Sequence, residues 1–145
     1  MTPPPEDIMM RILQINLGHC RAAQDLLLQV VREKGADVVI VSEQWKGSGA
    51  GWYANADDTA AICLPNKRAA KWHTQVGCGW VWVEMNGVRI YSCYFSPNST
   101  QQDFLGEISN LERDIRAVNG PVVVAGDFNA KAAEWGSRIT DDRGR

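Results

Sequence analysis

No apolar run in this 145-residue chain approaches the roughly 20 residues that cross a bilayer as a helix, so a helical membrane protein is excluded and no membrane partner is expected. Positive charge is not in excess: 15 Lys and Arg stand against 17 Asp and Glu, for a net charge of −2. That argues against a protein gripping nucleic acid by bulk charge, but not against an enzyme that meets DNA through a local patch. The cysteines, Cys20, Cys63, Cys78 and Cys93, never fall in C-x-x-C spacing; reduced core thiols are expected rather than a zinc site. The histidines, His19 and His73, are expected in loops or at the surface. There is no Gly-Lys phosphate loop and no G-x-S-x-G nucleophile turn. Met1–Asp7 has neither a basic nor an apolar region, so no signal peptide is expected there.

What is present is the composition of one globular domain, with 45% hydrophobic and 22% charged residues. Pro3, Pro4 and Pro5 predict an extended, flexible leader over residues 1–8, and the patterned sequence runs over residues 9–145. Met9–Ile15 is a short apolar run that predicts a strand ending at Asn16. Ala22–Lys34 predicts a helix, with Ala23, Leu26, Leu27, Val30 and Val31 on one face and Gly35 as its terminator. Val38–Val41 is a β-branched run of the kind buried on both faces, with Glu43 just past its end. Strand, helix and strand make a parallel pair joined by a right-handed crossover.

Lys46–Asp58 predicts a surface loop and Ala60–Leu64 a third strand. Asn86-Gly87, between Trp80–Met85 and Val88–Phe95, is a strong hairpin signal. Trp80, Trp82 and Glu84 face one side of the first arm, and Val81, Val83 and Met85 the other. Ser99 and Gln102 suggest a capping box before a helix carrying Phe104, Ile108, Leu111, Ile115 and Val118. Val122–Ala125 predicts a last buried strand, leading into Gly126-Asp127-Phe128-Asn129. The fold class is therefore α/β, an α+β layered sandwich: a mixed β-sheet with flanking helices.

In such sheets ligands meet the carboxyl ends of strands. Asn16, Glu43, Asp127 and Asn129 all fall there. Singly, each has an ordinary explanation as a turn residue or a solvated charge, and Tyr91, Tyr94 and Phe95 as core. Together, acids and amides at strand ends suit a hard cation and a phosphate.

Four blocks occur in order: Ile15-Asn16-Leu17, Val41-Ser42-Glu43-Gln44, Tyr94-Phe95-Ser96-Pro97-Asn98 and Gly126-Asp127-Phe128-Asn129. On these the chain resembles the endonuclease/exonuclease/phosphatase family, which includes deoxyribonuclease I and the abasic-site endonucleases. The stretches Ile12–Leu17, Cys20–Leu27, Asp127–Lys131, Glu134–Ser137 and Asp142–Gly144 resemble the endonuclease domain of insect non-LTR retrotransposons in particular.

The resemblance implies an Mg²⁺-dependent phosphodiester hydrolase, with Mn²⁺ as a substitute, that nicks target DNA. Its site would lie within an intracellular protein, nuclear if it belongs to an active retroelement. Glu43 would be the main metal ligand with Asn16 beside it. Asp127 would orient or deprotonate the attacking water, or protonate the leaving oxygen. Asn129 would hydrogen-bond the phosphate or that water, and Tyr94 would touch the phosphate. Asn98, Lys131 and Arg138 are candidates to bind substrate, with Arg143, Arg145 and Trp135 near them. Lys67, Arg68, Lys71, Trp72 and His73 form a second basic-aromatic stretch, expected as a DNA contact or a solvated loop.

Two positions depart from the family pattern. Gly18 stands where an acid or amide is usual, and the family's second half, with its His-containing block, has no counterpart before Arg145. The chain thus resembles the N-terminal half of a four-layer fold, truncated at its C-terminal side. Two alternatives follow: an inactive remnant, or a phosphoesterase of the same fold acting on phosphoinositide or sphingolipid head groups. A half-domain is also expected to leave one sheet face bare and to nick DNA at a rate near background. Oligomeric state and target sequence are not encoded in any motif.

Overall fold

The computed structural model describes residues 10–129. The leader expected over residues 1–8 lies outside the described residues, as do Lys131, Trp135, Arg138, Arg143 and Arg145. The elements are β1 (Ile12–Asn16), α1 (Arg21–Lys34), β2 (Val38–Ser42), β3 (Trp52–Ala54), β4 (Ala60–Cys63), β5 (Lys71–Thr74), β6 (Trp80–Met85), β7 (Val88–Tyr94), α2 (Gln101–Arg116) and β8 (Val122–Asp127).

The strands build two mixed four-stranded sheets, ordered β1-β2-β4-β3 and β5-β6-β7-β8, instead of a single sheet. Side-chain alternation dictates how they stack. Val39 and Val41 of β2, with Ala61 and Cys63 of β4, pack under Leu27 and Val31 of α1. Val38, Ile40 and Ile62 point the other way and meet Val81, Val83, Met85 and Ile90 of the second sheet. Trp80, Tyr91 and Cys93, on the far side of that sheet, pack on Phe104 and Leu111 of α2. The order is α1, sheet, sheet, α2, so β2 is buried throughout and apolar from Val38 to Val41 because it is covered on both faces. Among the described residues no sheet lacks a covering layer on either face, yet Ile12 of β1, Trp72 of β5 and Val124 of β8 leave apolar surface exposed. What stays open among the described residues is the edge at β1 and β8, where Ile12 and Val124 are exposed. Val122–Ala125 is for that reason only half-buried rather than buried on both sides.

Four local expectations are corrected. β3 lies inside the stretch expected as loop; it is three residues long and pairs with β4, too short to show a period. Lys71–Thr74 is a strand on β6, despite its polar sequence, because an edge strand needs only one apolar face. In α1, Leu26 is 60% exposed and Gln24 is buried in its stead. The cap of α2 is Thr100, whose hydroxyl accepts from the Asp103 N–H at 3.1 Å, so the Ser99 box is displaced by one residue.

Cys20 is exposed, while Cys63, Cys78 and Cys93 are buried, and all four are free thiols. Burial pushes the Cys63 thiol up to about 11, and burial with Cys78 nearby pushes Cys93 up to about 12. Since the thiolate is the reactive species, Cys20 alone is expected to react promptly with an aromatic disulfide reagent in the native protein. All four should react after denaturation. Fast native reaction of a second cysteine would show that the layers are not closed.

Candidate active site

Parallel pairing fixes where the polar strand ends meet. β1 runs parallel to β2, with Asn16 opposite Ser42, so Asn16 and Glu43 leave the first sheet at one end. β7 runs parallel to β8, with Tyr94 opposite Asp127. Ser92 Oγ of β7 donates to the Val41 carbonyl of β2 at 3.3 Å, and three further bonds join the two ends across the sandwich. Gln14 Nε2 donates to the Gly126 carbonyl at 2.8 Å, Asn16 Nδ2 to Asp127 Oδ2 at 3.0 Å, and the Tyr94 hydroxyl to Glu43 Oε1 at 3.1 Å. Asn16, Glu43, Tyr94 and Asp127 therefore form one cluster.

Each member is held. Asp127 uses both oxygens: Oδ2 takes the Asn16 amide, and Oδ1 takes the Asn129 N–H at 3.0 Å. Asn129 sits at φ 48°, and its Nδ2 donates to the Phe95 carbonyl at 2.7 Å, pinning the turn after β8 to the end of β7. Asn16 Oδ1 accepts the Gly18 N–H at 2.8 Å, which leaves one of its two lone pairs. Partial burial raises the Tyr94 hydroxyl above its ordinary range, followed by its hydrogen bond to Glu43 and the charges of Glu43 and Asp127. Tyr94 thus remains a donor at neutral pH.

Glu43 has φ 50°, a left-handed conformation that side chains other than Gly, Asn and Asp seldom take. Strain of this kind costs on the order of 1–3 kcal/mol and persists only where surroundings impose it. Here the Glu43 N–H donates to the Thr59 carbonyl at 2.8 Å, and buried Gln44 donates to Asp58 Oδ1 at 2.7 Å. Gln24 of α1 clamps the next two residues, its Oε1 accepting from the Trp45 and Lys46 N–H groups at 2.8 and 3.1 Å.

The donor set fits a hydrated hard cation. Glu43 offers a carboxylate whose second oxygen has no hydrogen bond among the described residues, and Asn16 offers a carbonyl lone pair. Mg²⁺ is commonly held by one or two carboxylates and keeps several waters. Among the described residues no group of three or more His, Cys, Asp or Glu could hold a metal ion, so a cation at this site would depend on few protein ligands and on water.

Asn98 does not join the cluster. It is exposed in the turn after β7, where its N–H donates to Ser96 Oγ at 3.2 Å. The Lys67–Lys71 stretch lies elsewhere. β4 runs antiparallel to β2 with Ala60 opposite Ser42, so the chain beyond Cys63 emerges at the end remote from Glu43. Lys71 likewise pairs with Glu84, away from the Tyr94 end of β7.

Three features escape sequence reasoning because they depend on the loop after β2: the Gln24 clamp, the ring of His19, and Arg21 stacked on Trp45. The Arg21 guanidinium lies 5.1 Å from the centre of the Trp45 ring, which is 46% exposed. His19 Nε2 is 3.9 Å from Glu43 Oε1.

Residues 13–145 match the Endonuclease/Exonuclease/phosphatase family. No match is found among curated protein sequences. Similar solved structures include the endonuclease domain of TRAS1, a telomere-specific non-LTR retrotransposon. It is 24% identical with a TM-score of 0.69, over 93% of this chain and 67% of that one. An AP endonuclease from Archaeoglobus fulgidus is 13% identical with a TM-score of 0.64, over 84% and 58%. A 3′ phosphatase from Neisseria bound to product DNA hairpin is 15% identical with a TM-score of 0.66, over 84% and 58%. The chain thus spans 58–67% of the length of these structures, and at such identities the likeness is one of fold.

Proposed function

We propose, from the premise that this chain belongs to the endonuclease/exonuclease/phosphatase family, that it carries the site of a divalent-metal phosphodiester hydrolase which nicks DNA. The observation that carries this reading is the meeting of Asn16, Glu43, Tyr94 and Asp127 at the carboxyl ends of two parallel strand pairs.

Glu43 and Asn16 are the residues that would hold Mg²⁺ or Mn²⁺. The cation, when bound, neutralises charge developing on the phosphate. Tyr94 orients the Glu43 carboxylate through its hydrogen bond, and it would donate to the phosphate only by turning its one proton away from Glu43. Asp127, fixed by Asn16 and the Asn129 N–H, is positioned to orient a water or take its proton. Asn129 holds the Asp127 turn and has one amide hydrogen left for phosphate. Substrate contacts from Asn98, Lys131 and Arg138 belong to this proposal.

DNA is favoured over a lipid head group by the sequence blocks that resemble retrotransposon endonucleases and by the Arg21–Trp45 pair, whose tryptophan follows Glu43 by two residues in the loop after β2. An exposed ring under a guanidinium suits a nucleic acid, since it offers a face for a base and a cation for a phosphate. The test is a substrate comparison with the chain carried on to the length of its relatives. Supercoiled plasmid should be nicked in Mg²⁺ and spared in EDTA, while a soluble phosphoinositide head group should release no phosphate. The reverse pattern would replace DNA by the head group.

A further inference from the structure

We propose that His19 is a nitrogen ligand to the divalent cation at Glu43 and biases that site toward Mn²⁺ over Mg²⁺. The proposal rests on the metal-site reading above.

The turn after β1 locks His19 against the end of β2. The Leu17 N–H donates to the Ser42 carbonyl at 2.9 Å, and the His19 N–H donates to the Glu43 carbonyl at 2.6 Å. Gly18 and His19 both stand at φ 57°, which swings the imidazole back over the strand end. Ring Nδ1 lies 3.1 Å from the Gln44 carbonyl oxygen. A carbonyl oxygen only accepts, so Nδ1 carries the hydrogen, and in the neutral ring Nε2 is left with its lone pair. The acceptor is rigid, because Gln44 is buried and tied to Asp58. A histidine that ligates a metal through one nitrogen typically donates from the other to a carbonyl or carboxylate, and this is that arrangement.

The spacing agrees. Nε2 is 3.9 Å from Glu43 Oε1, too far for a hydrogen bond; that oxygen accepts from Tyr94 and keeps a second lone pair for a cation shared with His19. Two ligands bonded to one ion at about 2.1 Å each sit about 3 Å apart at a right angle and about 4.2 Å apart when opposite. The pair is also open to solvent, with side-chain exposures of 58% for His19 and 27% for Glu43. Imidazole is a poor ligand for Mg²⁺, which prefers oxygen, and a better one for transition metals. A site of carboxylate, amide oxygen and imidazole should thus discriminate between the two cations where an all-oxygen site discriminates little.

The test uses the 145-residue chain and three proteins: wild type, His19→Asn and Glu43→Gln. Asn tolerates the left-handed backbone at position 19 and removes only the imidazole. Calorimetric titration with Mn²⁺ and with Mg²⁺ gives the affinities, and electron spin-echo spectroscopy of bound Mn²⁺ reports any directly bonded nitrogen. His19→Asn should lower Mn²⁺ affinity about tenfold, leave Mg²⁺ affinity within about twofold, and remove a nitrogen coupling present in the wild type. Wild-type Mn²⁺ binding that depends on Glu43 but shows no nitrogen coupling would overturn the role of His19 alone. Absence of Mn²⁺ binding by the wild type would overturn both this inference and the metal site.

Discussion

Asp127→Ala should bring DNA nicking down to background in a chain carried on to the length of its relatives. Asp127 is the one carboxylate of the cluster with both oxygens spoken for, by the Asn16 amide and by the Asn129 N–H. Those bonds fix its orientation, which is what a group handling a water's proton requires. General acid–base groups contribute roughly 10²–10⁴ in rate. Removing the carboxylate also frees the Asn16 amide, so a loss at the upper end of that range is expected. Asp127→Asn, which keeps an acceptor for Asn16, should lose nearly as much while melting at the wild-type temperature. Nicking by either variant within about threefold of wild type would mean that the site is misassigned. The 145-residue chain spans 58–67% of the length of its structural neighbours.

Gly126→Ala should unfold the site end of the molecule. Gly126 lies within β8 opposite Cys93 of β7, at φ 142°. A Cβ there would stand 2.0 Å from the Cys93 carbonyl oxygen and 2.7 Å from its nitrogen, and both are backbone atoms that cannot swing aside. The strand must therefore separate from β7, taking with it the Gly126 carbonyl that receives Gln14 and the Asp127 that follows. Strained backbone of this type costs on the order of 1–3 kcal/mol before any clash. A total loss of about 3 kcal/mol or more is expected, roughly a 10 °C fall in melting temperature for a domain of this size. A thermal melt within about 2 °C of wild type would show that β8 does not approach β7 this closely.

How much of this was legible in the sequence follows from which interactions are local. Strongly periodic or punctuated segments were readable: the β2 run, the Asn86-Gly87 hairpin and the Gly35 stop of α1, which takes φ 64°. Two edge strands were not. β3 and β5 are three and four residues long and owe their conformation to β4 and β6. The division into two sheets was hidden as well, because alternation tells which residues share a face but not which sheet covers it. For the site, Asn16, Glu43 and Asp127 stood out as polar residues at the ends of apolar runs. Tyr94 was visible only through the family blocks, since an aromatic at the end of a hairpin arm is ordinarily core. His19 carried no signal: it differs from a surface histidine only through the loop that bends it onto Glu43 and the carbonyl of Gln44. Gly126 reads as a turn glycine in Gly-Asp-Phe-Asn, and its close approach to Cys93 emerges only from the pairing of β7 with β8.

The metal site itself is tested most directly by calorimetric titration of Mg²⁺ into the wild-type chain and into Glu43→Gln. The substitution keeps the side chain's size and an acceptor for Tyr94, and it removes only the charge of the Glu43 carboxylate. Hard cations depend on charged oxygen ligands. Saturable binding by the wild type, weakened about a hundredfold or lost in Glu43→Gln with the melting temperature unchanged, is the expected result. Equal affinities in the two proteins would contradict it and remove Glu43 from the site.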